Sequence, residues 1–419
     1  MGRSVAVLLH RYAGLYIACY LALIGLAGSL IVFYDELDRA LTPEFHRAER
    51  LAERLDAVSL ILRAQQLAPQ ARATDIILQE RPGDTTLIRM EPRIDPETGR
   101  PFQLDFTEIY LDPYSGEERG RRRFGDLSQG VKNLMPFIYR FRYSLALGDF
   151  GVKLLGTTAL IWTFDCFLGF YLTLPPLSPK GRERARRGWL SRWRVAWGIK
   201  FSSPVRALFD IHRAAGLWLW ILLLIFAWSS VSFNLRDEVY TPVMRSILPF
   251  SAVQKAEPPV AEATADFMPL DWAASLQRGR AVMKSLRDEH GFDIEHEASL
   301  AVDRERGVYV YSVHSSLDIA TSEGQTTATF SAKDGSFLTF DAPRSRYAGN
   351  TVTNWLAALH KGRVLGLPYK ICICLLGLFV TTLALTGVFI WWKKFVARQA
   401  QTRRLTTART QAPSTQAAL

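Results

Sequence analysis

Four apolar runs alternate with long polar segments along the chain. The runs cover residues 12–33, 154–174, 214–235 and 371–392, and only Asp165 in the second run is charged. A helix rises about 1.5 Å per residue, so each run can cross a hydrocarbon core of roughly 30 Å. The pattern predicts four membrane-spanning helices. The first run exceeds the apolar part of a secretion signal, which argues against cleavage there.

The two long polar segments have the periodicities of small folded domains. Each begins with a helical pattern, at residues 55–67 and 270–286, followed by strand-like runs. The first set of predicted strands covers 76–79, 86–90, 103–106 and 109–111, and the second covers 300–302, 308–314, 326–330 and 337–340. Each segment is therefore expected to form one α+β unit.

Charge gives the chain an orientation. The net charge is +11, but residues 1–11, 175–206 and 393–419 together hold seventeen Lys and Arg against the single acid Glu183. The positive-inside rule places these three segments in the cytoplasm. The basic charge thus indicates contact with anionic membrane lipid, and no nucleic-acid partner is expected.

These patterns define a fold class. They predict a membrane α-helical protein, a four-span bundle with both termini in the cytoplasm and two α+β domains on the outer side. The predicted segments are span 1 (1–34), an outer domain (35–147), span 2 (148–174), a basic cytoplasmic loop (175–206), span 3 (207–235), an outer domain (236–358), an outer segment with span 4 (359–392) and a basic cytoplasmic tail (393–419).

The spans repeat within the chain. The motif His-Arg-x-Ala-Gly-Leu begins at His10 and again at His212, an offset of 202 residues. Spans two and four align at an offset of 218, which places Gly169 on Gly387. The pattern indicates duplication of one unit in the same orientation, with a pseudo-twofold axis along the membrane normal.

The repeated histidines are the main candidates for chemistry. His10 and His212 stand at matching positions of two spans, and two imidazoles on facing helices can bind a haem from both sides. The neighbouring Arg11 and Arg213 are candidates to bind haem propionates. The alternative is a pair of interfacial histidines that hydrogen-bond headgroups or backbone carbonyls.

A second candidate lies before the fourth span. His360 would be near the outer membrane surface, but its repeat partner is Arg142, whose guanidinium cannot bind iron. A haem there would have one clear ligand. Tyr143, Met135 or His314 could supply the other, or the position could stay open.

Other polar residues leave their roles open. Asp165 inside the second span suggests proton movement, lipid or quinone binding, or a structural partner on a neighbouring helix. His290 and His296 could bind a metal or lie on the surface, and the run from Arg121 to Arg123 is expected to be solvated. The four cysteines lie in apolar stretches and predict no disulfide scaffold. No Walker A, GxGxxG, GxSxG or HExxH motif occurs.

Several motifs together resemble one family. They are the two His-Arg-x-x-Gly openings, the Leu-His-x-Gly-Arg before span four, the Thr-Gly-x-x-x-Trp-Trp-Lys at 386–393 and the strand and turn at 110–116. They are similar to those of the PepSY-associated transmembrane proteins, which include haem-containing ferric-siderophore reductases. The resemblance implies a protein of the bacterial inner membrane whose outer domains are periplasmic and PepSY-like. It also implies one or two haems b, with His10 and His212 holding an inner haem and His360 helping to hold an outer one. Arg142 departs from the family pattern, which has a histidine there.

The resulting hypothesis is a haem-dependent ferric-siderophore reductase. A cytoplasmic or quinol donor would supply electrons, and reduction would release iron from a siderophore of the hydroxamate class, because hard oxygen ligands hold Fe(III) better than Fe(II). One alternative is a haem-free accessory or sensor protein that binds a periplasmic partner. Another is a siderophore or peptide permease that uses the parallel repeats as moving parts.

Overall fold

The computed structural model describes residues 2–48, 53–79, 83–176, 188–251, 270–321 and 324–411. The chain divides into two compact units. A helical unit contains residues 1–29, 153–235 and 374–419, and a sheet unit contains residues 30–152 and 236–373. Much of the basic loop, residues 177–187, lies outside the described residues, as do residues 412–419 of the basic tail.

Thirteen α-helices occur in the described parts of the chain. In chain order they are α1 (Arg3–Ile31), α2 (Tyr34–Leu41), α3 (Pro43–His46), α4 (Ala57–Leu67), α5 (Leu134–Ser144), α6 (Gly148–Thr173), α7 (Trp189–Trp193), α8 (Pro204–Trp218), α9 (Trp220–Asn234), α10 (Thr241–Arg245), α11 (Trp272–His290), α12 (Ala348–Lys361) and α13 (Gly366–Gln411). The long helices α1, α6 and α13 contain three of the four apolar runs.

Among the residues that the structure describes, three helices are long and apolar enough to cross a membrane, namely α1, α6 and the part of α13 up to Arg403. The third apolar run was predicted to form one helix, but it is divided between α8 and α9. The axes of these two helices differ by 70° at their junction. Leu219 at the junction has φ −97° and ψ 4°, which leaves the helical conformation. The pair can serve as a fourth span only in bent form.

Small residues bring α1 and α13 close together inside the helical unit. A Cβ atom on Gly25 would lie 2.8 Å from the carbonyl oxygen of Gly377, and one on Gly377 would lie 2.3 Å from Oγ of Ser29. Ser29 Oγ also donates to the carbonyl oxygen of Cys374 at 2.8 Å. Such contacts between backbones are typical of helix pairs in membranes, where packing and hydrogen bonds replace the hydrophobic effect.

The sheet unit contains one antiparallel sheet of eight strands. The strands are β1 (Ala71–Ile77), β2 (Thr86–Pro92), β3 (Glu108–Leu111), β4 (Glu118–Arg122), β5 (Ile294–Asp303), β6 (Val308–Ser315), β7 (Thr326–Ser331) and β8 (Phe337–Asp341), in the spatial order β4-β3-β2-β1-β5-β6-β7-β8. The two halves join through β1 and β5, where Ile76 pairs with Leu300. The sequence predicted two α+β units, but not that their strands form a single sheet.

Both halves of the sheet unit repeat the same local contacts. Asp56 and Asp271 cap the N-termini of α4 and α11 through their side chains. Nε of Arg63 in α4 donates to the carbonyl oxygen of Gly116 at 3.2 Å, and Nε of Arg278 in α11 donates to that of Gly335 at 2.6 Å. These matched contacts are what a duplicated chain would give.

One hydrophobic core holds the sheet and its two long helices together. Apolar positions alternate along the strands, as in β2, where Ile88 and Met90 are buried and Arg89 between them is exposed. Leu60 from α4 and Met283 from α11 belong to the same buried cluster. The burial of these side chains explains why the periodicities of the sequence predicted most of the elements.

Two details of the first half differ from the sequence predictions. Residues 103–106 form no strand, and the strand that completes this half is β4 instead. Arg122 in β4 is only 2% exposed, although the basic run was expected to be solvated. Its guanidinium donates to Asp38 at 2.9 Å and to Glu108 at 2.8 Å. The two carboxylates compensate the buried charge.

Candidate functional site

His10 and His212 face each other inside the helical unit. His10 lies on α1 and His212 lies on α8, and their ring centroids are 6.4 Å apart with an angle of 59° between the ring planes. The two residues are 202 positions apart in the sequence. The structure therefore brings together the two histidines that the sequence repeat singled out.

Each imidazole uses Nδ1 for a hydrogen bond to a neighbouring helix. Nδ1 of His10 lies 2.8 Å from Oδ1 of Asp165 in α6. Nδ1 of His212 lies 3.1 Å from the carbonyl oxygen of Leu383 and 3.3 Å from Oγ1 of Thr386, both in α13. A carbonyl or an ionised carboxylate can only accept, so Nδ1 carries a proton in both rings. In the neutral form of each ring Nε2 is then the ligand atom.

Two glycines provide the surfaces on which the rings lie. A Cβ atom on Gly169 of α6 would lie 3.5 Å from Cε1 of His10. The corresponding atom on Gly387 of α13 would lie 3.3 Å from Cε1 of His212. Gly169 and Gly387 are the pair that the offset of 218 aligned. The contact between histidine and glycine is therefore part of the duplicated unit.

The hydrogen-bond acceptors of the two rings are not the same. The offset of 218 places Asp165 on Leu383, so a carboxylate in one copy takes the place of a backbone carbonyl in the other. The sequence left the role of Asp165 open. His10, the partner of Asp165, is 155 residues away in the sequence. The repeat gave no hint of this contact, because the residue equivalent to Asp165 is Leu383, whose side chain cannot bond to a histidine.

The geometry of this pair fits one haem iron. Two imidazoles that bind one metal ion through Nε2 at roughly 2 Å bring their ring centres to about 6 Å, close to the separation found here. Metal-binding histidines also typically donate their other ring N–H to a carboxylate or a carbonyl, as His10 and His212 do. The donor set would thus suit a haem held by His10 and His212.

The two arginines beside these histidines have different surroundings. Arg213 lies 2.9 Å from Oδ1 of Asp210 and donates to the carbonyl oxygens of Val195 and Ala196 at 2.8 and 3.2 Å. These contacts attach the segment before α8 to the helix. Arg11 is partly exposed. Propionate binding by Arg11 and Arg213 stays a prediction.

His360 lies in the sheet unit and contacts its repeat partner. Nη2 of Arg142 in α5 is 2.5 Å from Nε2 of His360 in α12. A guanidinium only donates, so Nε2 of His360 accepts this bond and the ring is neutral. Burial, together with the charges of Arg142 and Lys361, lowers the pKa of His360 well below its usual range. Burial also lowers the pKa of Arg142 to about 10.

This second pair does not fit a haem with two protein ligands. The nitrogen of His360 that would bind iron is in contact with a cation, and Arg142 cannot replace a histidine as ligand. Of the alternative ligands, Tyr143 is 59% exposed, Met135 is buried, and His314 contacts Glu295 and Ala320. We therefore assign no electron-transfer step to His360.

Comparison with known protein families gives one match. Residues 7–394 match the family described as the PepSY-associated TM region. The matched range includes both histidine motifs as well as Arg142 and His360. No curated protein matches the chain.

Proposed function

The chain belongs to the PepSY-associated transmembrane family, and from this premise we propose that it is a haem b oxidoreductase that reduces ferric siderophores. The observation that carries the proposal is the facing pair of His10 and His212. Their rings are 6.4 Å apart, and both Nδ1 atoms are occupied by acceptors on neighbouring helices. Histidines that bind a metal usually donate their other ring N–H to a carboxylate or a carbonyl, and ionisable residues within apolar helices usually mark a functional site.

The proposed location is the bacterial inner membrane, with four spans and both termini in the cytoplasm. The basic segments support this orientation, and the bent pair of α8 and α9 is counted as the third span. His10 and His212 would then lie toward the cytoplasmic side, and the sheet unit would be periplasmic. A cytoplasmic or quinol donor would supply electrons from the inner side.

The residues of the site have distinct tasks in this proposal. When bound, haem b supplies one-electron transfer. His10 and His212 would hold it, and Asp165 and the Leu383 carbonyl fix the orientation of the rings through Nδ1. Gly169 and Gly387 leave space for the rings beside α6 and α13. One electron converts the bound Fe(III) of a hydroxamate siderophore to Fe(II), which hard oxygen ligands hold less tightly.

The first experiment tests the cofactor. The purified protein in detergent should have the absorption bands of haem b, and His10→Ala and His212→Ala should each lose most of the bound haem. His290→Ala is the matched control, because His290 lies at the end of α11 in the sheet unit and should keep the spectrum. Full haem content in both His10→Ala and His212→Ala would reject the assignment and favour the haem-free accessory protein.

The second experiment tests the reaction. Protein reduced with dithionite and freed of excess reductant should be reoxidised anaerobically by a ferric hydroxamate, with one Fe(II) trapped by a chelator for each haem oxidised. If no ferric hydroxamate reoxidises the haem, the proposed reduction of siderophores is rejected, and the protein would be a cytochrome with another electron acceptor. Uptake of the ferric siderophore into liposomes without reductant would instead favour the permease.

A further inference from the structure

Three side chains that carry possible metal-ligand atoms lie together on two neighbouring strands of the sheet. They are Glu295 and His296 on β5 and His314 on β6, and one ligand atom from each residue lies within 4.8 Å of the others. Among the described residues this is the one group of three or more such side chains that satisfies this distance. It was absent from the sequence prediction, which considered His296 only together with His290.

A β-bulge explains how two successive residues contribute to one group. Neighbouring side chains of a strand normally point to opposite faces of the sheet. The register shifts between Ile294, which pairs with Ser315, and His296, which pairs with His314. Glu295 is the additional residue of this bulge, and bulges redirect side chains. Oε2 of Glu295 thereby lies 3.0 Å from Nδ1 of His314.

The hydrogen bonds of His314 determine which of its nitrogens faces the group. Its ring is largely buried, and Nε2 lies 3.1 Å from the carbonyl oxygen of Ala320. A carbonyl can only accept, so Nε2 carries the proton. In the neutral ring Nδ1 then directs a lone pair at a carboxylate oxygen of Glu295. Two lone pairs repel each other at this distance unless a cation lies beside them or the ring takes up a second proton.

We propose that Glu295, His296 and His314 bind a divalent transition metal ion. Two imidazoles and one carboxylate are the protein ligands of many zinc sites with an open position, and Fe(II) also binds to this set. The hydrogen bond from Nε2 of His314 to Ala320 is the outer contact that metal-binding histidines usually make. His296 pairs with His314 across the two strands, and their rings are parallel with centroids 5.0 Å apart. The site does not depend on the proposed reductase function.

The test is a titration of the full-length protein in detergent with Zn²⁺. The wild type, freed of metal by a chelator, should bind one Zn²⁺ per chain at this site, measured by calorimetry and by metal analysis after gel filtration. His314→Gln and Glu295→Gln should each weaken binding about 10-fold or more, because each removes one ligand of three. Glu305→Gln, in the exposed turn between β5 and β6, and His290→Ala are matched controls that should keep the affinity.

Two further measurements make the result unambiguous. A variant with both His10→Ala and His212→Ala should still bind Zn²⁺. Loss of Zn²⁺ binding in this variant would place the signal in the helical unit and overturn the site on the sheet. Glu295 is more than half exposed, so Glu295→Gln should fold even if His314→Gln does not. Absence of Zn²⁺ binding by the wild type, or equal affinity in Glu295→Gln, would overturn the proposal. Anaerobic competition by Fe(II) would show whether both ions use the same ligands.

Discussion

His10 and His212 occupy equivalent places in two copies of one span unit, but their Nδ1 atoms bond to different acceptors. Each ring lies on a glycine of the following span, at nearly the same distance. The acceptor is a carboxylate for His10 and a backbone carbonyl for His212. The duplication has thus kept the placement of the rings while their electrostatic environments differ. A carboxylate partner makes an imidazole a stronger electron donor, so the two ligands of one haem would not be equivalent.

The charge of Asp165 gives this difference a direction. A carboxylate inside an apolar helix bundle is costly unless it is paired, and its partner is His10. Oxidised haem iron with two neutral imidazoles carries one more positive charge than the reduced form. In the proposed haem site Asp165 would therefore stabilise the oxidised form more than the reduced one, and the second copy has no corresponding charge at Leu383.

The largest expected effect comes from making the first copy like the second. Asp165→Leu should weaken haem binding by roughly 10- to 100-fold. It should weaken the binding of oxidised haem more than that of reduced haem, and each tenfold difference between the two raises the haem reduction potential by about 60 mV. A redox titration followed by haem absorption measures the potential. Asp165→Asn should keep the haem but raise the potential, because it retains an acceptor without the charge.

The second copy provides the control for this change. Thr386→Val removes one of the two acceptors near His212 but leaves the Leu383 carbonyl, so its effect on the potential should be small. If the wild type and Asp165→Leu both bind haem and have equal reduction potentials, the claim that Asp165 makes the two histidine ligands different would be wrong.

A smaller effect is expected from the glycines. A methyl group on Gly387 would lie 3.3 Å from Cε1 of His212, closer than ordinary contact, whereas one on Gly169 would lie 3.5 Å from Cε1 of His10. Gly387→Ala should displace the ring by a few tenths of an ångström and cost about 1 kcal/mol of haem binding, roughly a fivefold loss of affinity. Gly169→Ala should have less effect. Haem transfer to apomyoglobin measures both, and a larger loss in Gly169→Ala would contradict the packing described here.

The success of the sequence predictions depended on how local the information was. Long apolar runs and strand periodicity predicted α1, α6, α13 and most strands, because each pattern reflects burial along one element. The pairing of β1 with β5 was not predicted, since Ile76 and Leu300 are 224 residues apart and the sequence of neither strand identifies the strand with which it pairs. The bend at Leu219 was missed because no proline or glycine stands at that position.

The repeat predicted more of the candidate site than any single motif. In a duplicated chain with a pseudo-twofold axis, equivalent residues near the axis face each other, as His10 does with His212 and Arg142 does with His360. The alignment of the copies therefore indicated which residues would meet. It did not indicate the contact between Asp165 and His10, because that contact joins different positions of the repeat.

The smallest expected effect concerns His360, whose imidazole lies beside the cation Arg142, whereas those of His10 and His212 face each other. The quantity that should change is the dependence of folding stability on pH. Burial and the nearby cations lower the pKa of His360, so the unfolded chain takes up a proton near its usual pKa of about 6.5 while the folded chain does not. Stability should therefore fall as the pH decreases through this range, by somewhat less than about 1 kcal/mol between pH 7 and pH 6. His360→Gln removes this contribution, so its melting temperature should fall less over the same interval than that of the wild type. Since the two proteins differ only at His360, the difference between the two slopes isolates this residue, and equal slopes would mean that His360 is not held neutral by Arg142.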